Sequence, residues 1–299
     1  MTVPGPLAAS KLLHVVLTIE SPPKRAREIL AEIALSQSWA ESMPVALEFA
    51  EQWEKRFIER LQRDYSMLVR MGRTCLFAIN TSSEYMIQGA AFVEDGVDSE
   101  VVREIKRGYS FIGEYSAAIT SITAAQFEWL CRGILTELGV LDAKVTPHSR
   151  DEGIDFYGRL RLENLLNGEV VLPGIETRLN VWMIGQAKHY QALQVATPDI
   201  RELVGAVTLA RAKAFGSSSQ TKYADLDIAA CDPVFFLFFT TGQISADGWR
   251  LLEASGVIGM DGGMVAAFLA RRQIALNADG EFEGALLTEW IESLKPIRT

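Results

Sequence analysis

Cysteine is scarce in this 299-residue chain: Cys75, Cys131 and Cys231 are odd in number and widely spaced. That excludes a disulfide scaffold and offers no zinc spacing, so a reducing cytoplasm is the expected compartment. Long apolar runs are missing too. The longest, Val234–Phe239, is far short of the roughly 20 residues a membrane span needs. The opening MTVPGPLAASKLLHVVLTIE has a short apolar stretch broken by Lys11 and His14 and reads poorly as a signal peptide. There is no GxxxxGK loop and so no sign of a nucleotide-driven motor, no internal repeat and no low-complexity tract. Basic residues are in deficit, 29 Lys and Arg against 38 Asp and Glu, for a net charge of −9. A generic nucleic-acid coat protein is thereby disfavoured. A hydrolase that gathers carboxylates around a metal is not, because net charge says nothing about local patches.

What is present is an ordinary globular composition, 48% apolar and 22% charged, over a length suited to one large or two ordinary domains. Residues 1–20 read as a loosely attached or strand-like leader. Ser21-Pro22-Pro23 offers a helix start, followed by an apolar face at Ile29, Leu30 and Ile33. From Pro44, the residues Phe49, Trp53, Phe57, Leu61, Tyr65 and Leu68 recur at helical spacing and predict one long amphipathic helix. Arg56, Arg60 and Arg63 on it are interspersed with acids and read as a solvated face. Two strand-like runs, Thr74–Asn80 and Tyr85–Val93, flank a turn composition. The charged stretch Asp98–Arg107 reads as a link. The expected division is an N-terminal α+β domain over 1–115, a target-recognition or regulatory module, and a second domain over 116–299.

The second part alternates strands and helices. Thr123-Ala-Ala-Gln126 is a capping-box pattern that opens a helix with apolar Phe127, Leu130, Cys131, Ile134, Leu135 and Leu138, and Gly139 is a natural stop. Strands are expected at Ala143–Thr146, Ile154–Leu162 and Val181–Ala187, and Pro198 opens another helix. Val234–Phe239 is apolar throughout, as a strand covered on both faces would be. Closing helices are expected at Ile244–Leu252 and Gly263–Arg271. This order predicts an α/β domain with a sheet between helical layers.

Three stretches of this part carry chemistry: Ser149-Arg-Asp-Glu-Gly-Ile-Asp155 entering a strand, Gln186-Ala-Lys188 ending one, and Glu128 on the preceding helix. Residues two apart on a strand share a face, so Gln186 and Lys188 project together. If their strand pairs with the one begun by Asp155, a carboxylate, an amide and an ammonium meet at one sheet edge. Such a set suits phosphodiester cleavage. Oxygen ligands hold Mg²⁺, and a lysine orients or helps deprotonate water and offsets developing negative charge. Each residue has a plainer reading: Asp155 as a turn cap, Lys188 as an exposed strand end, Gln186 as a core amide, and Glu128 as an i,i+4 partner of Arg132. His148, just before the motif, reads as an exposed loop histidine.

The order helix-Glu128, S-x-D-x-G-I-D, Q-A-K-x-Y, then P-D-I-R-E-L-x-G-A resembles the catalytic domain of Mrr-type restriction endonucleases, in the PD-(D/E)xK nuclease superfamily. The resemblance runs over about residues 120–272 and takes in Phe239-Thr-Thr-Gly-Gln-Ile-Ser245 and Ile258-Gly-Met-Asp-Gly-Gly263. It implies a restriction-endonuclease-like three-layer α/β/α sandwich around a mixed sheet, with a separate N-terminal α+β domain. It also implies a catalytic set of Asp155, Gln186, Lys188 and Glu128, of which Asp155, Glu128 and Gln186 hold Mg²⁺, with Mn²⁺ as a possible substitute. The substrate implied is double-stranded DNA. Arg201, Arg211 and His189 are the expected DNA contacts, although His189 stands where the family usually has Arg. Cutting both strands calls for two sites, so a homodimer or higher homo-oligomer is expected, without a membrane partner. The competing readings are a non-catalytic DNA-binding or sensor module on a nuclease fold, and a nuclease of DNA repair or branched DNA.

Overall fold

The computed structural model describes residues 4–80, 85–140, 142–146, 153–161, 180–190, 194–195, 197–211, 226, 228 and 231–296. The chain forms two compact units: residues 1–113 with 267–282, and residues 114–266 with 283–299.

In the first unit, helices α1 (Pro6–Lys11), α2 (Ala26–Ser36) and α3 (Met43–Arg70) pack with a small antiparallel sheet ordered β1 (Lys24–Arg25), β3 (Met86–Gly89), β2 (Phe77–Ile79). The long helix is where its 3.6-residue periodicity placed it, running 28 residues with Ala46, Ala50, Phe57, Ile58 and Leu61 buried. Those residues join Ile29, Leu30 and Ile33 of α2 and Ile87 of β3 in one apolar core. Two expectations fail here. Residues 4–20 are no loose leader: α1 and a short 3₁₀ turn, Leu13–Val15, bury Ala9, Leu13 and Leu17 in that core. The charged stretch after Asp98 is a helix, α4 (Glu100–Ser110), because the Ser99 hydroxyl caps it by accepting from the Val102 amide.

In the second unit, α5 (Ile112–Ser121) leads to α6 (Ala124–Glu137), which begins at the expected capping box. Helix α6 ends before Gly139, whose φ of 92° only glycine adopts without strain. A five-stranded mixed sheet follows, ordered β10 (Ile258–Met260), β8 (Val234–Thr240), β6 (Asn180–Lys188), β5 (Phe156–Arg161), β4 (Lys144–Val145). The β4–β5 and β5–β6 pairs are antiparallel, and the β6–β8 and β8–β10 pairs are parallel. A two-stranded parallel sheet joins β7 (Gln194–Val195) to β9 (Gln243–Ile244). The parallel β6–β8 connection carries helix α7 (Thr197–Arg211). Helices α8 (Ala246–Ser255) and α10 (Gly284–Ser293) belong to this unit, and α9 (Gly262–Arg271) begins in it and continues into the first-unit segment 267–282.

Helix α6 packs on β4, β5 and β6, and α7 packs on β6 and β8. At the end of β6, Lys188 faces Glu202 of α7 while the next residue, His189, faces Phe127 of α6. Neighbouring residues of a strand point to opposite faces, so α6 and α7 lie on opposite sides of the sheet. The architecture is the expected three-layer α/β/α arrangement. Strand β8 is interior in the sheet but is buried only from Leu237 onward, and Phe235 is 48% exposed. The expected cover on both faces therefore holds for its second half alone, the half beside the candidate site.

Candidate active site

Asp155 stands one residue before β5 and is clamped on both sides. Its amide donates to the Gly185 carbonyl (2.9 Å), and its own carbonyl accepts from the Thr146 amide (2.8 Å). The Thr146 hydroxyl also donates to the Ile154 carbonyl at 2.7 Å. The backbone ladder of β5 ends at the Phe156–Gly185 pair. There the Asp155 carboxylate continues it, with Oδ2 accepting from the Ala187 amide at 2.8 Å. A hydrogen bond to a charged acceptor is stronger than a neutral one, so the carboxylate is tied directly beside Lys188. Gly185 is required underneath. A Cβ there would strike the Phe156 ring, which stacks on Phe239 at 5.3 Å between centroids.

Glu128 reaches the same place from α6. It is half-buried, and its carboxyl is pushed up to about 8, first by burial and then by the charge of Asp155. Cys131, three residues further along α6, is fully buried, and its thiol is raised well above the usual value by burial, then by Asp155 and Glu128. Burial and the charge of Asp155 together thus impose an electrostatic cost on an ionised Glu128. Arg132, the alternative partner considered for Glu128, directs its guanidinium to the carbonyls of Ala143 (2.9 Å) and Leu294 (2.6 Å).

Gln186 and Lys188 share the α7 face of β6. Gln186 is only 2% exposed. In the amide orientation that satisfies both its ends, its nitrogen donates to the Asp199 carbonyl (3.3 Å) and its oxygen accepts from Lys188 Nζ (3.2 Å). Lys188 Nζ also lies 3.6 Å from Glu202 Oε2. Tyr190 is two residues further along the chain, and its hydroxyl donates to Asp199 Oδ2 at 3.0 Å. Its backbone is locked to Thr241, whose hydroxyl accepts from the Tyr190 amide (2.9 Å) and donates to the Tyr190 carbonyl (3.0 Å).

The structure therefore brings Asp155, Glu128, Gln186 and Lys188 to the ends of β5 and β6. The expected DNA contacts are more scattered. Arg201 is exposed on the second turn of α7, and Arg211 is the last residue of that helix. His189 and Phe127 meet edge to face, 6.2 Å between centroids, and His189 Nε2 is buried with no hydrogen-bond partner among the described residues. Residues 147–152, which include His148 and the start of the S-x-D-x-G-I-D stretch, lie outside the described residues. Thr146, Tyr190, Asp199, Glu202 and Thr241 were not singled out as site residues from the sequence. Tyr190, Asp199, Glu202 and Thr241 sit inside motifs quoted there, and that is the available signal. Thr146 joins only through tertiary contact.

Among the described residues no three or more His, Cys, Asp or Glu side chains converge as a metal cluster. The carboxylates of Asp155 and Glu128 nevertheless form a hard-oxygen donor pair, without imidazole or free thiolate, of the kind that suits Mg²⁺ or Mn²⁺ rather than zinc. A divalent cation held by these residues would also offset the burial and the repulsion that raise Glu128.

The fold of this part is a three-layer α/β/α domain built on a five-stranded mixed sheet. Residues 119–219, roughly a third of the chain, match the Mrr catalytic-domain family, described as Restriction endonuclease. The resemblance drawn on the helix-Glu, D and Q-A-K motifs is to this same family. β8 and β10 lie beyond the matched span but belong to the same five-stranded sheet. Among solved structures, the chain is similar to the MspJI restriction endonuclease in complex with a 27-mer oligonucleotide, at 18% identity and a TM-score of 0.39, covering 68% of this chain and 39% of that one. It is also similar to the DNA modification-dependent restriction endonuclease AspBHI, at 16% identity and a TM-score of 0.37, covering 70% of this chain and 45% of that one. For the restriction endonuclease FokI bound to DNA the figures are 11% identity and a TM-score of 0.32, with coverage of 96% and 47%. The chain thus spans less than half the length of each of these three structures. No curated protein matches it. Among the described residues no helix is long and apolar enough to cross a membrane.

Proposed function

We propose that the chain is a Mg²⁺-dependent endonuclease that hydrolyses phosphodiester bonds of double-stranded DNA, in restriction or antiphage defence within the bacterial cytoplasm. The observation that carries the reading is the meeting of Asp155, Glu128 and Lys188 at adjoining strand and helix positions inside the span that matches the restriction endonuclease family. Asp155 and Glu128 would hold the cation, which when bound polarises the phosphate and lowers the cost of activating water. Asp155 is pre-oriented for this by the Ala187 amide. Lys188 supplies a donor and a positive charge to the phosphate, where negative charge grows as water adds to phosphorus and the bond to the departing strand oxygen breaks. That oxygen leaves with a proton. Gln186, expected from the sequence as a third metal donor, has its oxygen directed at Lys188.

Arg201 and Arg211 on α7 are proposed to touch DNA phosphates. The N-terminal unit is proposed to select the target or the trigger, and a homodimer to cut both strands. The test is incubation of the purified protein with supercoiled plasmid. Nicked or linear product should appear with Mg²⁺ or Mn²⁺ and vanish with EDTA. Cleavage that persists in EDTA, or intact plasmid under all metal conditions on modified, unmodified and branched DNA, overturns the reading.

A further inference from the structure

Lys188 is held from several directions, and the chain of contacts behind it is longer than a nuclease site of two acids and a lysine requires. Its ammonium donates to the Gln186 amide oxygen (3.2 Å), and the Gln186 nitrogen donates to the Asp199 carbonyl (3.3 Å). Asp199 in turn accepts from the Tyr190 hydroxyl through Oδ2 at 3.0 Å. Tyr190 is pinned to Thr241 by two reciprocal hydrogen bonds, and the Thr241 amide donates to the Lys188 carbonyl at 3.3 Å. The circuit closes on the residue where it began. It is also well supported: Ile200 and Leu203 seat the first turns of α7 with no exposed surface, and Thr240, paired with Lys188 in the ladder, is fully buried.

We propose that Gln186, Asp199 and Tyr190 are positioning residues that fix the Lys188 ammonium at the site, with Gln186 acting on the lysine rather than on the metal. A lysine side chain is long and has many rotamers, so an unassisted ammonium spends little time in one place. A buried amide dipole that accepts one of its protons narrows that freedom, and the Asp199–Tyr190 pair stops the amide from turning. The phenol is suited to this work. Burial, and then its bond to Asp199, push Tyr190 up to about 12, so it remains a donor throughout the neutral range. Glu202, 3.6 Å from the ammonium and about half exposed, adds a weaker, solvent-screened attraction from the same helix.

The inference rests on the endonuclease reading for its kinetic arm, but has a second arm that does not. In single-turnover cleavage of plasmid with Mg²⁺, Gln186→Met should lower the rate about a hundredfold, the scale of a misplaced reacting group. Tyr190→Phe and Asp199→Ala should lower it about tenfold, as loss of one supporting hydrogen bond would. Asp199→Asn, which keeps an acceptor for the phenol, should restore most of the rate. Mg²⁺ affinity by calorimetry and DNA affinity in EDTA should match wild type in all four. The independent arm is labelling of Lys188 by an amine-reactive ester, read by mass spectrometry against exposed Lys11. Gln186→Met, Tyr190→Phe and Asp199→Ala should each label Lys188 severalfold faster than wild type, and Asp199→Asn should not. A fall in Mg²⁺ affinity in Gln186→Met would make Gln186 a metal donor and overturn the proposal, as would unchanged Lys188 labelling in the Tyr190 and Asp199 variants. If the wild-type protein cuts no DNA, the endonuclease reading fails on its own, and the labelling still decides whether the circuit holds Lys188.

Discussion

The two units bury different kinds of side chain. In the N-terminal unit the core is nearly all aliphatic and aromatic, and the buried polar residues among those described are Asn80 and Gln88, which satisfy each other at 2.9 Å. In the second unit Thr146, Gln186, Thr240, Thr241 and Asp261 are all buried. Thr146 holds the Asp155 backbone, Gln186 contacts Lys188, and Thr240 and Thr241 form the end of β8 beside it. Buried polar groups cost free energy unless each finds a partner. Where they are concentrated, structure is being spent on placing particular atoms, and where they are rare, on cohesion. The difference sets the strand ends of the second unit, where the proposed site lies, apart from the rest of the described molecule.

Four measurements would break or sharpen that contrast. Phe57→Ala removes a fully buried ring from the apolar core of the first unit. It should cost about 3–5 kcal/mol of unfolding free energy, read as a lower denaturant midpoint. A loss under 1 kcal/mol would mean that this core is less cohesive than its burial indicates. Asp155→Ala and Lys188→Ala should do the opposite, lowering cleavage by about 10²–10³ or more with a nearly unchanged melting temperature. Near-normal turnover in both variants would remove them from the site.

The third measurement concerns pH. In the folded protein Glu128 is raised from an ordinary 4.5 to about 8. Below pH 4.5 both folded and unfolded chains hold its proton, and it contributes no pH dependence. Between 4.5 and 8 the unfolded chain releases the proton while the folded one keeps it, so stability falls as pH rises through that window. In EDTA, the melting temperature of wild type should therefore drop relative to Glu128→Gln on going from pH 5 to pH 8, and Mg²⁺ at pH 8 should reduce the gap. Parallel curves for the two proteins would mean that Glu128 is neither buried nor close to Asp155. The smallest effect is expected at the surface. Arg201→Ala should leave stability within about 0.5 kcal/mol of wild type and reduce the salt slope of DNA binding by about 0.9 if it neutralises one phosphate. An unchanged slope would take Arg201 off the interface.

Local pattern carried much of this protein in one dimension. The 3.6-residue spacing from Phe49 to Leu68, the Thr123–Gln126 capping box and the stop at Gly139 each act over a few residues, so they survive intact in the sequence. The two-residue spacing of Gln186 and Lys188 likewise settles that they share a face. The leader and α4 were misread for a related reason. Residues 6–17 have too little periodicity to announce a helix, and the charges of 98–107 hide one whose single cap is Ser99. What only tertiary structure decided is who stands beside these elements. The pairing of Asp155 with Ala187, the approach of Glu128 from another layer, and the circuit from Tyr190 through Asp199 to Gln186 join residues 9 to 32 positions apart. No local rule encodes such neighbours, because they arise when burial of Phe156, Phe239, Ile200 and Leu203 docks strand and helix together. Burial also decides the chemistry, since an amide or carboxyl acquires its task from the solvent it loses and the partner it meets.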